Sequence, residues 1–334
     1  MKRITALILA ILISSSLFAC TRNDAKTSSF FAMDTFISLT SYDASAETFD
    51  RITRKITELD EILSRTKKNS DISRLNSAGT SPVSLSDDTA ELMKLALSYC
   101  EKSHGVFDVT VAPLTDLWNV TSDNPTIPSP SKIASASMFV NYEYLNVNNN
   151  EARFLSEGMS CDLGGIAKGY VADKAVEILN SASVTSAMLQ IGSSVYILGE
   201  KPDGSHYTVG IRDPEGDMNS YIGKLPLKNK YITSSGDYER YFELGGDRYC
   251  HIFDTATGYP IDNELRSVTV ITDNGTEGDF LSTYLFCIGL ERGLELCEAE
   301  GISAIFVTKD RRVFTKGEAT AEFELTAGGY TYEK

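Results

Sequence analysis

The chain has 334 residues, of which 46 are Asp or Glu and 31 are Lys or Arg, for a formal net charge of −15. Such an acidic body has no electrostatic reason to approach DNA or RNA, and it can hold a phosphate ester only through a local lysine, arginine or metal. Six cysteines without a C-x-x-C pair argue against a zinc site.

At the N-terminus, Lys2 and Arg3 precede an apolar run over residues 4–13. That run is too short to span a bilayer as a helix and fits the core of a signal peptide over residues 1–19. "LFAC" ends it in a pattern similar to the bacterial lipobox, so Cys20 is expected to carry lipid. An ordinary signal peptide that happens to contain a cysteine is the plainer alternative. Residues 20–29 then read as a polar tether, holding a body of about 315 residues at the membrane surface. The expected location is extracytoplasmic, at the periplasmic face of the inner membrane, with the lipid as the only membrane contact. The other cysteines, Cys100, Cys161, Cys250, Cys287 and Cys297, sit among apolar or strand-like residues and read as buried reduced thiols.

Residues 47–65 place Phe49, Ile52, Ile56, Leu59 and Leu63 at three- and four-residue spacings, which predicts an amphipathic helix. Ser86 can cap a second helix running to Lys102, with Gly105 ending it. Residues 121–131, with three prolines, read as a surface loop, and residues 165–179 as a third helix. Beyond them "MLQIGSSVYILGE", "YTVGIRDP", "KYITSSG", "RYFELGGDRYCHIFD" and "SVTVITD" are rich in β-formers and broken by Gly or Asp turns. Short helices are expected over 277–288 and 291–300, followed by a hairpin around Asp310. Clustered strands with grouped helices indicate an α+β fold with a largely antiparallel sheet.

Three constellations carry possible chemistry. Of three histidines, His206 lies in a polar hairpin tip and His104 precedes the glycine that stops a helix; His251 follows a strand and opens "HIFDTATGYP". A strand-end histidine reads either as a packed residue or as a base. In "EGDFLSTYLF", Asp279 and Thr283 are i and i+4 on one helix face with Ser282 beside them. They are either hard oxygen ligands for Mg²⁺ or an ordinary first turn whose carboxylate complements the helix dipole. In "DLGGIAKGYVAD", Asp162, Gly164, Gly165, Lys168 and Gly169 offer a carboxylate, an approachable backbone and a cation. That segment is either an anion site at a helix N-terminus or close packing of a helix on a strand.

The order of the motifs narrows these alternatives. "DLGGIAKGYVAD", "TSSGDYERYFELGGDRYCHIFDTATGYP" and "GDFLSTYLFCIGL", with "AMDTFISL", "LSRTKKNSDISRLN" and "GVFDVTVAPLTDLW" before them, closely resemble the ApbE family of flavin transferases. The resemblance covers residues 30–332 as one domain, with two possible subdomains sharing one site. It implies an ApbE-like (T-fold-like) core with a smaller helical subdomain. It also implies Mg²⁺-dependent transfer of FMN from FAD to a threonine of a target protein, with release of AMP and with FAD pyrophosphatase activity as an accompaniment. Expected acceptors are redox-pump subunits and FMN-binding domains with a Ser/Thr/Gly-rich threonine motif. The alternative is a lipoprotein that captures FAD without turning it over.

Carried over residue by residue, the resemblance implies Mg²⁺ ligation by the side chains of Asp279 and Thr283, with Ser282 adjacent, and by the carbonyl of Gly165, where relatives often carry Ala. It implies FAD contacts from Met33, Thr66, the Phe107-Asp108-Val109 strip, Asp162, Lys168 and Ile252, and a base at His251. Two positions depart from the family pattern. Thr66 stands where a tyrosine is usual, and Ser193-Ser194-Val195 where relatives often show Gly-Gly-Asn. A missing ring at Thr66 leaves room for water beside the nucleotide and puts the balance of transfer against hydrolysis in question.

Overall fold

A computed structural model describes residues 24–333; the expected signal peptide and Cys20 lie outside the described residues. The framework is a nine-stranded sheet. From edge to edge it runs Lys26–Ala32, Thr35–Ser41, Ser186–Ile191, Ser194–Gly199, Lys230–Gly236, Leu265–Thr272, Ser303–Thr308, Arg312–Lys316 and Thr331–Glu333. Only the last pairing is parallel, so the sheet is largely antiparallel, as expected. Residues 26–29, expected in the polar tether, belong to a strand. Lys26 and its followers form the edge strand, with Thr27 Oγ1 2.9 Å from Thr40 Oγ1 across the pair.

Side chains alternate across this sheet. On one face Ile37, Leu39, Leu189, Ile191, Val268, Val270 and Phe306 join the main core beneath helices Ala46–Leu63, Ala167–Ser181 and Gly275–Ile288. The first helix buries Phe49, Ile52, Ile56, Leu59 and Leu63, and Ser45 caps it by accepting from Thr48 N at 3.1 Å. The opposite face meets a three-stranded sheet of Tyr207–Arg212, Tyr221–Leu227 and Glu324–Leu325. There Ile197, Ile232, Ile271, Ile305, Val307 and Val313 pack with Tyr207, Ile211, Ile222, Leu225 and Phe323.

A smaller helical part follows the first long helix. It contains Asp71–Ser77, Asp87–Lys102, Ala112–Trp118 and Pro130–Ser137, with a short sheet of Leu145–Asn148, Glu151–Phe154 and Val83–Ser84. The expected loop over 121–131 therefore ends at a helix whose N1 position is Pro130, where a missing N–H costs nothing. A separate apolar cluster of Leu114, Trp118, Val120, Ile133, Phe242 and Phe253 ties this part to the later strands, with Trp118 Nε1 donating to Gly258 O at 2.9 Å. Cys100, Cys161, Cys250 and Cys297 are buried and Cys287 is half-buried; all five are free thiols. No helix among the described residues is long and apolar enough to cross a membrane.

Candidate functional site

Helices Ala167–Ser181 and Gly275–Ile288 cross where neither carries a side chain. A Cβ on Gly169 would lie 2.0 Å from Gly275 O, and one on Gly275 would lie 2.6 Å from Gly169 O, so only glycine permits this backbone contact. Two carboxylates fasten the crossing in opposite directions. Asp173 of the first helix accepts from Gly275 N at 2.7 Å, Thr276 N at 2.9 Å and Thr276 Oγ1 at 2.6 Å, serving the amides that open the second helix. Asp279 of the second helix accepts from Gly169 N at 2.7 Å and from Ser194 Oγ at 3.1 Å.

The reading of Asp279 as a carboxylate of the helix's first turn needs correction. Asn274 caps the helix, accepting from Glu277 N at 2.8 Å, so the helix begins at Gly275, two residues earlier than expected. Asp279 sits in the second turn and is 3 % exposed. Among the described residues no lysine or arginine pairs with it. Ser235 Oγ, from the end of strand Lys230–Gly236, lies 2.8 Å from Ser282 Oγ and 3.3 Å from Thr283 Oγ1. A Cβ on Gly165 would lie 3.7 Å from Thr283 Oγ1 and 3.0 Å from the Phe107 ring, which places that backbone against the same hydroxyl.

The structure thus groups Gly165, Ser235, Ser282 and Thr283, with Asp279 and its partner Ser194 one turn away on the same helix. Among the described residues no three His, Cys, Asp or Glu side chains cluster as a metal site. A cation here would have one carboxylate and several neutral oxygens. A buried carboxylate without a cationic partner, next to hydroxyls and a glycine backbone, is a donor set that fits Mg²⁺ completed by ligand oxygens.

The loop ahead of the first crossing helix is pinned from three sides. Asp162 N donates to Val109 O at 2.8 Å, Gly164 N donates to Asp162 Oδ1 at 2.8 Å, and Asn76 brackets Cys161 with two bonds of 2.8 Å. Arg65 Nε is 3.6 Å from Asp162 Oδ2, which sets the turn bearing Thr66 beside this loop; Thr66 itself is exposed. Lys168 Nζ donates to Gly164 O at 3.1 Å and has no carboxylate partner among the described residues. The N-cap residue of the helix that follows, Ile166, makes no side-chain cap bond, and the first-turn amide of Gly169 is served instead by Asp279.

His251 is half-buried, its N–H donating to Arg240 O at 3.0 Å and its Nδ1 lying 3.2 Å from the same oxygen. Burial pushes its pKa down to about 4, reinforced by the positive charges of Arg240 and Lys168 and opposed by the bond to the Arg240 carbonyl. The ring is therefore neutral at neutral pH. With its proton on Nδ1, it presents Nε2 as an acceptor. Arg240 Nη2 reaches Asp34 Oδ2 at 2.9 Å, which brings the turn holding Met33 to the same rim. Ile252 is buried next to the histidine.

Asp108 behaves differently from its neighbours. Its Oδ1 accepts from Thr110 N and Oγ1 at 2.7 Å each, and its Oδ2 accepts from Tyr142 N at 2.9 Å, while burial raises its pKa. The carboxylate organises its own loop, both oxygens being engaged by Thr110 and Tyr142.

The ApbE family model matches residues 33–306 of the chain. An FAD:protein FMN transferase of Klebsiella pneumoniae (strain 342) is 33% identical over 284 residues, 84% of this chain and 88% of that protein. One from Haemophilus influenzae is 30% identical over 98% of this chain and 99% of its own length. Among solved structures, the ApbE protein of Thermotoga maritima aligns with a TM-score of 0.80 at 29% identity, covering 88% of this chain and 97% of that one. The apo flavinyl transferase ApbE of Pseudomonas stutzeri aligns at 0.77 and 28%, over 86% and 91%. The glycine-crossed helices, the gathered oxygen donors and these matches over most of the chain agree: the protein belongs to the ApbE family.

Proposed function

We propose that the chain is an Mg²⁺-dependent FAD:protein FMN transferase that joins FMN through a phosphoester to a threonine of an acceptor protein and releases AMP. With water in place of the threonine it hydrolyses FAD to FMN and AMP, and the small Thr66 leaves water that opportunity. Expected acceptors are redox-pump subunits or FMN-binding domains with a Ser/Thr/Gly-rich threonine motif. A lipid on Cys20 would hold the enzyme at the periplasmic face of the inner membrane. The observation that carries the reading is Asp279, buried, without a cationic partner among the described residues and on one helix with Ser282 and Thr283, the latter against Gly165.

In this reading Asp279, Thr283 and the Gly165 carbonyl hold Mg²⁺, with Ser282 adjacent. The metal when bound would neutralise pyrophosphate charge and stabilise the departing phosphate oxygen. Lys168, in the first turn of its helix, faces the same anion. The threonine oxygen attacks the phosphorus on the FMN side, the bond from that phosphorus to the bridging oxygen breaks, and AMP departs with that oxygen. His251 takes the hydroxyl proton at Nε2. The pyrophosphate offsets the Arg240 and Lys168 charges that hold its pKa down, so the base strengthens when the substrate is in place.

The test is AMP release from FAD and Mg²⁺, with and without acceptor. Asp279→Asn keeps an acceptor for the Gly169 amide and removes the charge. AMP release should fall by about 10²-fold or more, with the thermal midpoint little changed. Native-rate turnover by this variant, or by the unsubstituted protein in EDTA, would sink the assignment.

A further inference from the structure

The edge hairpin Lys26–Ala32/Thr35–Ser41 turns through Met33 and Asp34, both left-handed at φ 56° and 54°. Phe31 and Phe36 are direct cross-strand partners behind this turn. They are 69% and 62% exposed, and they share a face with the Ser and Thr residues of the same hairpin. The three-stranded sheet that covers this face farther in, around Ile197 and Ile232, leaves the hairpin open. The pair is joined to the site by two short paths. Asp34 pairs with Arg240, whose carbonyl holds His251. Phe36 O accepts from Gly192 N at 3.2 Å, two residues before Ser194, which donates to Asp279.

Resting on the proposed transferase reading, we infer that the Phe31–Phe36 pair and the outer edge of strand Lys26–Ala32, unpaired among the described residues, are the docking surface for the acceptor polypeptide. The two rings expose on the order of 250 Å², far below the roughly 800 Å² per partner that a stable dimer buries. A patch of that size suits a protein that docks, reacts and leaves, rather than a second copy of this chain. Its polar surroundings and the unpaired amides of an edge strand match an extended polypeptide, which adds main-chain bonds along the edge while the rings take its side chains.

The experiment uses the full chain, a purified FMN-binding domain bearing a Ser/Thr/Gly-rich threonine motif, and the double variant Phe31→Ser/Phe36→Ser. Both side chains lie in solvent, so the thermal midpoint should hold. The KM for the acceptor domain should rise at least about 10-fold. The acceptor-free rate of AMP release and the KM for FAD should stay within about twofold. Phe31→Leu/Phe36→Leu should recover most of the acceptor affinity. An unchanged acceptor KM overturns the proposal. So does an equal rise in the KM for FAD, which would make the rings flavin contacts. Loss of self-association, or of binding to anionic-lipid vesicles, without a change in acceptor KM would assign the patch to a second copy or to lipid. If the unsubstituted protein yields neither AMP nor protein-bound flavin, the transferase reading itself has failed.

Discussion

On the outer face of the large sheet, isoleucines and valines meet the aromatic and aliphatic side chains of a second sheet, and a glycine gives way to a ring. A Cβ on Gly223 would meet the Phe323 ring at 2.6 Å as well as Glu324 O at 2.5 Å. On the helix face, the crossing at Gly169 and Gly275 gives way to backbone, and a carboxylate is buried in each direction. The outer face can adjust to a change because most of its neighbours are side chains. The crossing cannot, because what it meets is a carbonyl. Buried polar groups weaken a core unless each is satisfied. At the crossing both carboxylates are satisfied, Asp173 by the opening amides of one helix and Asp279 by Gly169 N and Ser194 Oγ.

Three substitutions sharpen the contrast. His251→Ala should slow AMP release by roughly 10²–10⁴-fold with little change in the KM for FAD. The native kcat/KM should hold down to an acidic limb near the His251 pKa of about 4, and the variant should lose that limb. The same group makes stability depend on pH. The folded state refuses a proton that the unfolded chain accepts at its ordinary 6.5, so the contribution is present above that value and lost as pH falls toward 4. Melting curves across that window should show a shallower decline for the variant. A large drop in FAD affinity, with a normal rate per bound complex, would make His251 a packing residue.

Gly169→Ala forces the two helices apart at a 2.0 Å approach and should cost about 3 kcal/mol. Activity per folded molecule should fall too, because Asp279 moves with its helix. Ile305→Ala, on the outer face, should cost roughly 2–5 kcal/mol and leave the rate per folded molecule unchanged. If Gly169→Ala were as harmless to the rate as Ile305→Ala, the distinction between the faces would collapse.

Much of this architecture is legible in the chain. The helix at Ala46–Leu63 follows from its apolar spacing, the strand Lys230–Gly236 coincides with "KYITSSG", and the motif order points to the family before any coordinates. The strand Tyr221–Leu227 is hidden because Gly223 and Pro226 read as turn residues. Ser194 and Ser235 are hidden for another reason. Serine is common, and these two matter only because separate strand ends converge on one helix. The first-turn alternative for Asp279 fails because the helix starts after Asn274, two residues earlier than its apolar pattern indicates, with a second helix against it. The bonds that the Asp108 carboxylate makes to Thr110 and Tyr142 are also invisible in the motif, because Tyr142 lies 34 positions away.

The two-way clasp between Asp173 and Asp279 also governs how the molecule breathes. Each carboxylate belongs to one helix and holds amides of the other, so fraying the start of either helix releases bonds in both. Gly169 and Gly275 then share a single opening event instead of exchanging their amide protons independently. The oxygen donors cannot drift apart by small local fluctuations. They are present together or lost together, and the site behaves as one cooperative unit within a larger fold.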